Sequence, residues 1–507
     1  MWRKLLRRGA SNLHTETAKD LSRQSRGPAK LFFFRSSNAL LKKHRWCSSL
    51  RISFNESLKP VTINQSNPRR TVSQRRCIRN AKNRSACSLW VMILLVLCIT
   101  TTVAEDWPQW RGLRRDGTWN ESGIVERFPT SGLKISWRLP VGPGFSSPII
   151  AAGRVYLTDA ELIRPKPNER IYCLDAADGK LLWKHSYQVE YEEWAFDPKT
   201  PGGPRATPIL RDSKLYTLGV TGELLCLDAL RGNVLWHKAL KKEYQATNST
   251  FTASPLIERD LLFIIVGADP GPCVAAFDRT SGKEIWRALD DPSVYSSPII
   301  VSAAGKKQLI VVTLHSVSSL DPYTGKVYWR ERVRSTRDVS VPTPVYSNGF
   351  LWVNGMMLKL RMDQPGTVVL WPQDQAPASK MLSNTATAQF LGDHLFVGNF
   401  SGQLICVQPE TGKILWETDK ATPSRNGASI HLTPNGNSVF LFNDQGELIR
   451  ARLSPEGYGE ISRAPLLNGT YFYGAKEYTW APPSFSGGRV YARNDKELVC
   501  AELKMVP

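Results

Sequence analysis

Short apolar runs of strand length, separated by turn residues, follow one another from about residue 147 to the C-terminus. In the first unit the runs are 147–150, 154–157, 171–174 and 180–183, with Gly153 and the segment 175–179 between them. Gly153 provides the positive φ of a tight turn, and an Asp-to-Gly segment is typical of a hairpin loop of three to five residues. No apolar period of about 3.6 residues, the helical one, accompanies these runs. The pattern therefore predicts a sheet of four short antiparallel strands in each unit.

A motif at the end of each unit repeats along the chain, with Asp followed by Gly four residues later and Trp eight residues later. The complete copies are Asp175/Gly179/Trp183, Asp228/Gly232/Trp236, Asp278/Gly282/Trp286 and Asp321/Gly325/Trp329, and a fifth copy keeps Gly412 and Trp416 but has Gln408. Counting a degenerate copy at Trp371, the tryptophans lie 42 to 53 residues apart. This period indicates a propeller or a solenoid, and four antiparallel strands per unit favour the propeller. We expect these tryptophans to cover the seams between blades.

The blade count follows from the first strands, which all begin close to Pro or a small residue. They start near Ser147, Thr207, Ser254, Ser297, Thr343, Ala386, Ser429 and Pro482. The last unit ends after a third strand at 497–501, whereas 134–138 has the fourth-strand pattern but no blade of its own. We therefore predict an all-β, eight-bladed propeller in which the N-terminal strand completes the last blade and removes two exposed sheet edges.

The chain divides into four parts: a basic leader (1–88), a hydrophobic segment (89–104), a lead-in (105–134) and the propeller (135–507). The leader holds 21 Lys and Arg against three acids, so it carries 18 of the net 21 positive charges. It is predicted to be unstructured, and two explanations stay open: translation starts after Met1, or the first 35 residues are a mitochondrial-type presequence. The remainder is nearly neutral and gives no indication of nucleic-acid binding.

The segment 89–104 has the features of a secretory signal. An apolar run at 89–99 follows Arg79, Lys82 and Arg84, and the small residue Ala104 marks a cleavage site. The run is shorter than the roughly 20 residues of a transmembrane helix, although an uncleaved anchor remains an alternative. The pattern predicts export to the periplasm or cell envelope as a monomeric propeller.

Cysteine and histidine give no catalytic or metal signature. The body contains Cys173, Cys226, Cys273, Cys406 and Cys500, and four of these occupy one equivalent position in the third strand of a blade. Equivalent positions in different blades lie far apart, so we expect buried apolar thiols and no disulfides. No histidines stand at metal-ligand spacing, and no nucleophile elbow or phosphate loop is present. We predict no catalytic residues and no metal site.

Two features of the loops are candidates for binding. The connections between consecutive blades converge on one mouth of the channel, and several carry a cation: Arg205, Arg337, Lys380, Arg425 and Lys476. If they converge, Arg205, Arg337 and Arg425 would form a positive ring for an anionic ligand, whereas scattered surface charge is the alternative.

The connections 184–206 and 463–481 are long and aromatic, and they lie close together if the ring closes. They define a candidate binding patch of Tyr191, Trp194, Tyr473, Tyr478 and Trp480. The alternative is that these aromatics form a small core that caps the propeller.

The repeat of Asp, then Gly-Lys, then Trp, as in Asp175, Gly179-Lys180 and Trp183, resembles the tryptophan-docking repeat of the pyrroloquinoline quinone (PQQ) propeller family. The resemblance covers about 135–507. That superfamily includes quinoprotein alcohol dehydrogenases and the propeller lipoprotein of the outer-membrane β-barrel assembly machinery. The segment Asp106-Trp107-Pro108-Gln109-Trp110-Arg111-Gly112 also resembles the start of exported PQQ-like propellers. The dehydrogenases carry adjacent cysteines and a calcium-binding Glu, Asn and Asp set. This chain has no adjacent cysteines, no CxxCH haem motif and no small residue before Cys98 for a lipid anchor.

The resemblance implies a fold shared by enzymes and scaffolds. We expect a non-catalytic binding or scaffold module of the cell envelope, without cofactor, whose partners are envelope proteins or glycans. The alternatives are an oxidoreductase dependent on PQQ and calcium and a module that binds acidic glycans.

Overall fold

The computed structural model describes residues 104–505 except 247–250, 269–270, 335–339 and 376. The predicted leader, most of the signal segment and Arg337 lie outside the described residues. The described chain forms eight four-stranded antiparallel sheets, as predicted, together with one two-stranded hairpin. Its helices are one short α-helix, Leu240–Glu243, and two 3₁₀ turns, Glu193–Phe196 and Ser379–Met381.

The blades follow the chain in order, each running from an inner to an outer strand. Blade 1 consists of Ile149–Ala151, Arg154–Glu161, Asn168–Asp175 and Leu181–Gln188, and blade 2 consists of Ile209–Arg211, Lys214–Leu218, Glu223–Asp228 and Val234–Ala239. Blade 3 consists of Leu256–Glu258, Leu261–Ile265, Val274–Asp278 and Glu284–Ala288, and blade 4 consists of Ile299–Ala303, Lys306–Val312, Ser316–Leu320 and Val327–Arg332. Blade 5 consists of Val345–Ser347, Phe350–Val353, Met356–Leu360 and Thr367–Trp371, and blade 6 consists of Gln389–Leu391, His394–Gly398, Leu404–Val407 and Ile414–Thr418. Blade 7 is Ile430–Asn435, Ser438–Asn443, Glu447–Ser454, Gly457–Pro465, and the hairpin is Tyr471–Tyr473 with Lys476–Tyr478.

Blade 8 is built from both ends of the described chain, which confirms the prediction that an N-terminal strand completes the last blade. Its first three strands are Ser484–Ser486, Arg489–Arg493 and Glu497–Glu502, and Ile135–Pro140 adds the fourth. The pairing is antiparallel, with Trp137 opposite Cys500 and Pro140 opposite Glu497. The ring is therefore closed by hydrogen bonds and leaves no open end at this blade.

The repeated Gly and Trp meet across the seams between neighbouring blades. Each repeat glycine has a φ between +72° and +77°, and its missing side chain leaves room for the indole of the preceding blade. The pairs are Trp137–Gly179, Trp183–Gly232, Trp236–Gly282, Trp286–Gly325 and Trp371–Gly412. The indole N–H of each tryptophan donates to the carbonyl of the residue that follows the repeat Asp or Gln408. A short sequence motif thus couples neighbouring blades at five of the eight seams.

Blade 5 interrupts this arrangement because its final turn is irregular. Trp329 of blade 4 donates to Oε1 of Gln308 in its own blade at 3.0 Å. The motif glycine is missing from blade 5, where residues 363–366 form the turn.

The lead-in packs at the seam between blades 7 and 8, since blade 7 has no repeat tryptophan. Trp119 is fully buried there, with its ring 5.8 Å from Phe440 of blade 7 and 5.2 Å from Phe485 of blade 8. Phe128 stacks on Phe440 at 6.3 Å. The lead-in is therefore part of the propeller core.

All five body cysteines are buried and free. Four of them stand directly opposite the docking tryptophan of their own blade, in the pairs Cys173–Trp183, Cys226–Trp236, Cys406–Trp416 and Cys500–Trp137. The predicted equivalence of these four positions is confirmed, and burial raises the pKa of the Cys226, Cys406 and Cys500 thiols to about 11.

Candidate functional site

The inner strands surround the channel and are joined near their starts by a belt of hydroxyl groups. Backbone N–H groups of Ser147, Thr207 and Ser254 donate to the hydroxyl of Thr207, Ser254 and Ser297 in the following blade, at 2.9 to 3.0 Å. Thr343 donates to Thr387 in the same way. Connections from outer to inner strands meet at one end, here called the upper mouth. The opposite end, with the first hairpin turn of each blade, is the lower mouth.

Arg205 lies at the upper mouth within a cage of aromatic rings. Its guanidinium carbon is 5.5 Å from the ring centroid of Phe145, 5.8 Å from Trp194 and 5.4 Å from Tyr295. The side chain is partly exposed, yet Nε is buried and has no hydrogen-bond partner in the described structure. Cation–π contacts orient a guanidinium without neutralising its charge, so Arg205 can still bind an anion.

The connection that carries Arg205 is held by a buried carboxyl group. The hydroxyls of Tyr187 and Tyr191 donate to the two oxygens of Glu169, at 2.6 and 2.8 Å, and the N–H of Val220 donates at 3.1 Å. Burial raises the pKa of Glu169 despite these hydrogen bonds. The hydroxyl of Tyr191 is thus committed to positioning the loop.

The two long connections contact each other, as the sequence predicted from their places in the ring. The N–H of Phe472 donates to the carbonyl of Lys199 at 2.8 Å, and the Lys199 ammonium lies 5.5 Å from the Phe472 ring. Phe145 and Tyr471 meet edge to face at 5.2 Å. We call the surface formed by 189–206 and 466–483 the junction surface.

The predicted aromatic patch divides into a base and a surface. Tyr478 and Trp480 are 1% and 6% exposed, and they donate to the carbonyls of Asn426 and Gly427 at 2.7 and 2.9 Å. Trp194 and Tyr473 are half-buried and reach the solvent. The two buried rings therefore support the junction surface from below.

The other predicted cations have different surroundings. Arg425 donates to Oδ2 of the fully buried Asp444 through Nε at 2.8 Å and through Nη2, and it lies over the Tyr478 ring. Lys380 pairs with Glu417 at 2.7 Å, and Lys476 is exposed on the hairpin. The structure thus ties Arg425 and Lys380 to carboxylates, whereas aromatic rings enclose Arg205.

The lead-in crosses the lower mouth, an arrangement that sequence reasoning missed. At the lower mouth Asp106 accepts from the N–H of Ala152, and Trp107 exchanges backbone hydrogen bonds with Ile150 of blade 1. The lead-in then reaches up the channel to the belt of hydroxyl groups, where the indole N–H of Trp110 donates to Thr343. The only sequence feature that could have indicated this path is the set of polar residues in the Trp-Pro-Gln-Trp-Arg-Gly motif. They are unlike the blade repeats, and none of the repeat periods includes them.

The described residues contain no group of three or more His, Cys, Asp or Glu that is arranged to hold a metal ion. Over the same described ranges, no helix combines the length and apolar composition needed to cross a membrane.

Comparison with known sequences places the repeats in a family. A family model described as outer membrane protein assembly factor BamB matches residues 130–269, 167–348 and 271–458, which together span more than half of the chain. The factor of that name from Shewanella oneidensis is 24% identical over 344 residues, covering 64% of this chain and 72% of that protein. The quinohemoprotein alcohol dehydrogenase ADH-IIG of Pseudomonas putida is 27% identical over 229 residues, covering 40% of this chain and 31% of that protein.

Solved structures show the same fold at lower identity. The crystal structure of BamB from Moraxella catarrhalis superposes with a TM-score of 0.52 and 18% identity, over 74% of this chain and 99% of that one. The quinohemoprotein alcohol dehydrogenase of Comamonas testosteroni has a TM-score of 0.58 and 13% identity, over 80% and 81% of the two chains. Both kinds of relative share the propeller, so function has to be argued from this chain's own surfaces.

Proposed function

Since the chain belongs to the PQQ-like propeller family whose model is described as outer membrane protein assembly factor BamB, we propose that it is a non-catalytic binding scaffold of the cell envelope. The predicted secretory signal at 89–104 is consistent with this location. The proposed partners are envelope proteins, and the proposed contact region is the junction surface.

The observation that carries the proposal is the way the junction surface is fixed. Two long connections, which ordinarily would be mobile, are joined by the Phe472–Lys199 hydrogen bond. The first is also held by the bond from Tyr191 to buried Glu169, and the second by buried Tyr478 and Trp480. A surface ordered before binding loses little conformational entropy when a partner docks. Half-buried Trp194 and Tyr473 are residues of the types that anchor protein interfaces.

In this mechanism the propeller contributes rigidity and the loops contribute recognition. Docking tryptophans at five seams, the lead-in between blades 7 and 8 and the closed ring hold the loop bases at fixed separations. A partner that contacts both long connections gains the sum of two weak contacts without ordering the loops. No covalent step takes place at this surface.

The test is affinity purification of the full chain from the envelope of its own host. We expect outer-membrane assembly proteins to co-purify with wild type, and to be lost when Trp194 and Tyr473 are both changed to Ser. A matched variant with Leu182→Ser and Leu235→Ser alters two apolar residues of the blade rim that are 42% and 50% exposed. Equal retention of the same partners by both double variants would count against the junction surface.

A second candidate function rests on Arg205. The Arg205 guanidinium, whose buried Nε has no partner among the described residues, is enclosed by Phe145, Trp194 and Tyr295 and suits a planar or cyclic anion. PQQ is an aromatic tricarboxylate that would supply two-electron redox chemistry when bound, and Arg205 would pair with one of its carboxylates. An acidic glycan would place a uronate in the same position.

The two ligands are distinguished by calorimetric titration of the purified protein. PQQ with Ca²⁺ is one arm and an oligomer of a uronic acid is the other. Saturable binding that Arg205→Gln abolishes supports a ligand site at the upper mouth and identifies its class. Absence of binding in both arms leaves the scaffold as the function proposed for this region.

A further inference from the structure

The lower mouth contains a buried arginine that is paired only with neutral oxygens. Arg115 is 7% exposed, and its guanidinium donates to the carbonyls of Ser254, Pro255 and Pro298, each at 3.0 Å. These contacts anchor the lead-in to the inner strands of blades 3 and 4. They satisfy the donors of Arg115, but among the described residues no carboxylate neutralises its charge.

Arg111 brings a second positive charge next to the first. Its Nη2 donates to the carbonyl of Asp116 at 2.7 Å and to Oε1 of Gln389 at 2.8 Å, whereas its Nε is buried without a hydrogen-bond partner in the described structure. Burial, and then the charge of Arg111, lower the pKa of Arg115 to about 9. Burial also lowers the pKa of Arg111 to about 10, with Asp116 opposing. A buried cation without a counter-charge is unfavourable, and a bound anion would relieve that cost.

Both arginines line a groove of about 350 Å³ that opens to solvent. We call it the lower-mouth groove. Its charged lining consists of six basic side chains, Arg111, Arg114, Arg115, Arg211, Arg259 and Lys307, against two acidic ones, Asp116 and Glu258. Two of the cations are partly compensated, because Arg114 pairs with Asp116 and Glu105, and Lys307 pairs with Glu258 at 3.2 Å.

The remaining cations come from separate elements and surround one space. Arg211 lies at the end of the first strand of blade 2 and is exposed, and Arg259 follows the first strand of blade 3. A concave site with cations of one sign on several sides concentrates anions, because the low-dielectric walls focus the field. The volume falls within the range of small-molecule sites.

We propose that the lower-mouth groove binds a small polyvalent oxyanion, carrying phosphate or carboxylate groups, between Arg111 and the cations of blades 2 to 4. The guanidinium of Arg111 lines the groove, and guanidinium groups bind planar or tetrahedral oxyanions through paired hydrogen bonds. This site is at the opposite end of the channel from Arg205 and does not depend on the proposed scaffold function.

The test is isothermal titration of the purified full chain with pyrophosphate in one arm and citrate in the other. Wild type should bind one of them saturably at low salt, with an affinity that falls as the ionic strength rises. The arm that binds identifies the oxyanion as phosphate or carboxylate. Arg111→Gln should weaken binding by about tenfold or more, which is the effect of losing one charge-assisted pair.

A second variant keeps the test valid if Arg111→Gln fails to fold. Arg211→Gln with Lys307→Gln removes two cations of the groove that have no role in anchoring the lead-in. Its control is Lys283→Gln with Lys326→Gln, which removes two exposed lysines outside the groove lining. The groove variant should weaken binding several-fold and the control should match wild type. No saturable binding in either arm, or equal loss in both double variants, would overturn the proposal.

Discussion

The indole of Trp137 lies against Gly179, with its N–H 3.2 Å from the carbonyl of Ala176. Trp137 belongs to the N-terminal strand and Gly179 to the last hairpin of blade 1. The same contact joins most other neighbouring blades through residues of consecutive repeats. Here it couples blade 8 to blade 1, so the closing strand completes both a sheet and the series of docked tryptophans.

Removing this indole should destabilise the closed ring. Trp137 is 8% exposed, and Trp137→Ala deletes a large buried side chain, for which a loss of about 3–5 kcal/mol is typical. Urea unfolding of the purified protein measures the change. Leu182→Ala, at a residue that is 42% exposed, is the control and should stay within about 0.5 kcal/mol of wild type. Equal losses in the two variants would contradict the docking role of Trp137.

Gly179 and Gly153 offer a matched pair, because their backbones are alike and their surroundings differ. Their φ values are +75° and +72°, but a Cβ at Gly179 would lie 2.8 Å from the Trp137 ring, whereas one at Gly153 meets nothing within 4 Å. Both Ala variants incur left-handed backbone strain of about 1–2 kcal/mol. Gly179→Ala should lose about 1–3 kcal/mol more from overpacking. Unfolding midpoints that coincide for the two variants would show that the indole contact is unimportant.

The same substitution should destabilise the protein at Arg425 and have little effect at Arg205. Arg425→Gln leaves Asp444 buried without its counter-ion, so we expect a loss of stability of about 3 kcal/mol. Arg205→Gln breaks no ion pair among the described residues and should change the melting temperature little. Differential scanning calorimetry of the two variants checks this prediction. A larger loss for Arg205→Gln would mean that its aromatic cage is a structural element.

His431 predicts a dependence of stability on pH. It is 7% exposed beside the channel, and burial lowers its pKa to about 4, with the charge of Arg111 adding to the effect and the hydrogen bond to the Trp480 carbonyl opposing it. The unfolded chain binds the proton at a pKa near 6.5 and the native state does not, so stability falls as the pH drops from about 6.5 towards 4. The loss from this residue should be roughly 3 kcal/mol.

The measurement is urea unfolding of wild type and His431→Gln at several pH values in that range. The difference between the two proteins isolates this residue from the carboxylates that titrate in the same interval. A difference that stays constant from pH 7 to pH 4 would contradict the buried neutral imidazole.

The repeat made the propeller predictable, because strands, turns and docking pairs are all specified within a few residues. Even the closing strand could be predicted, since 134–138 has the fourth-strand pattern and the last blade lacks that strand. The places of Arg205 and Trp194 at the upper mouth also follow from the order of strands. The contacts of each cation do not follow from that order, because Asp444 lies in a hairpin turn within blade 7, 19 residues beyond Arg425.

The contacts of the lead-in could not be predicted from the sequence. Arg111 contacts Gln389, 278 positions away, and Arg115 contacts Ser254, 139 positions away. No period relates these positions, so neither the crossing of the lower mouth nor the groove beside it could be predicted from the sequence. Likewise, Tyr478 and Trp480 lie in a long aromatic connection whose sequence does not distinguish an exposed patch from a small core. Only the packing of the hairpin shows that they are buried.

Site-specific photo-crosslinking shows directly whether the junction surface contacts the partners proposed for this propeller. A photoreactive amino acid is placed in the full chain at Trp194 or Phe472, or at exposed Lys283 as a control, and the host envelope is irradiated. We predict covalent adducts with outer-membrane assembly proteins from the two junction positions and none from position 283. Adducts from position 283 alone would exclude the junction surface as the contact region.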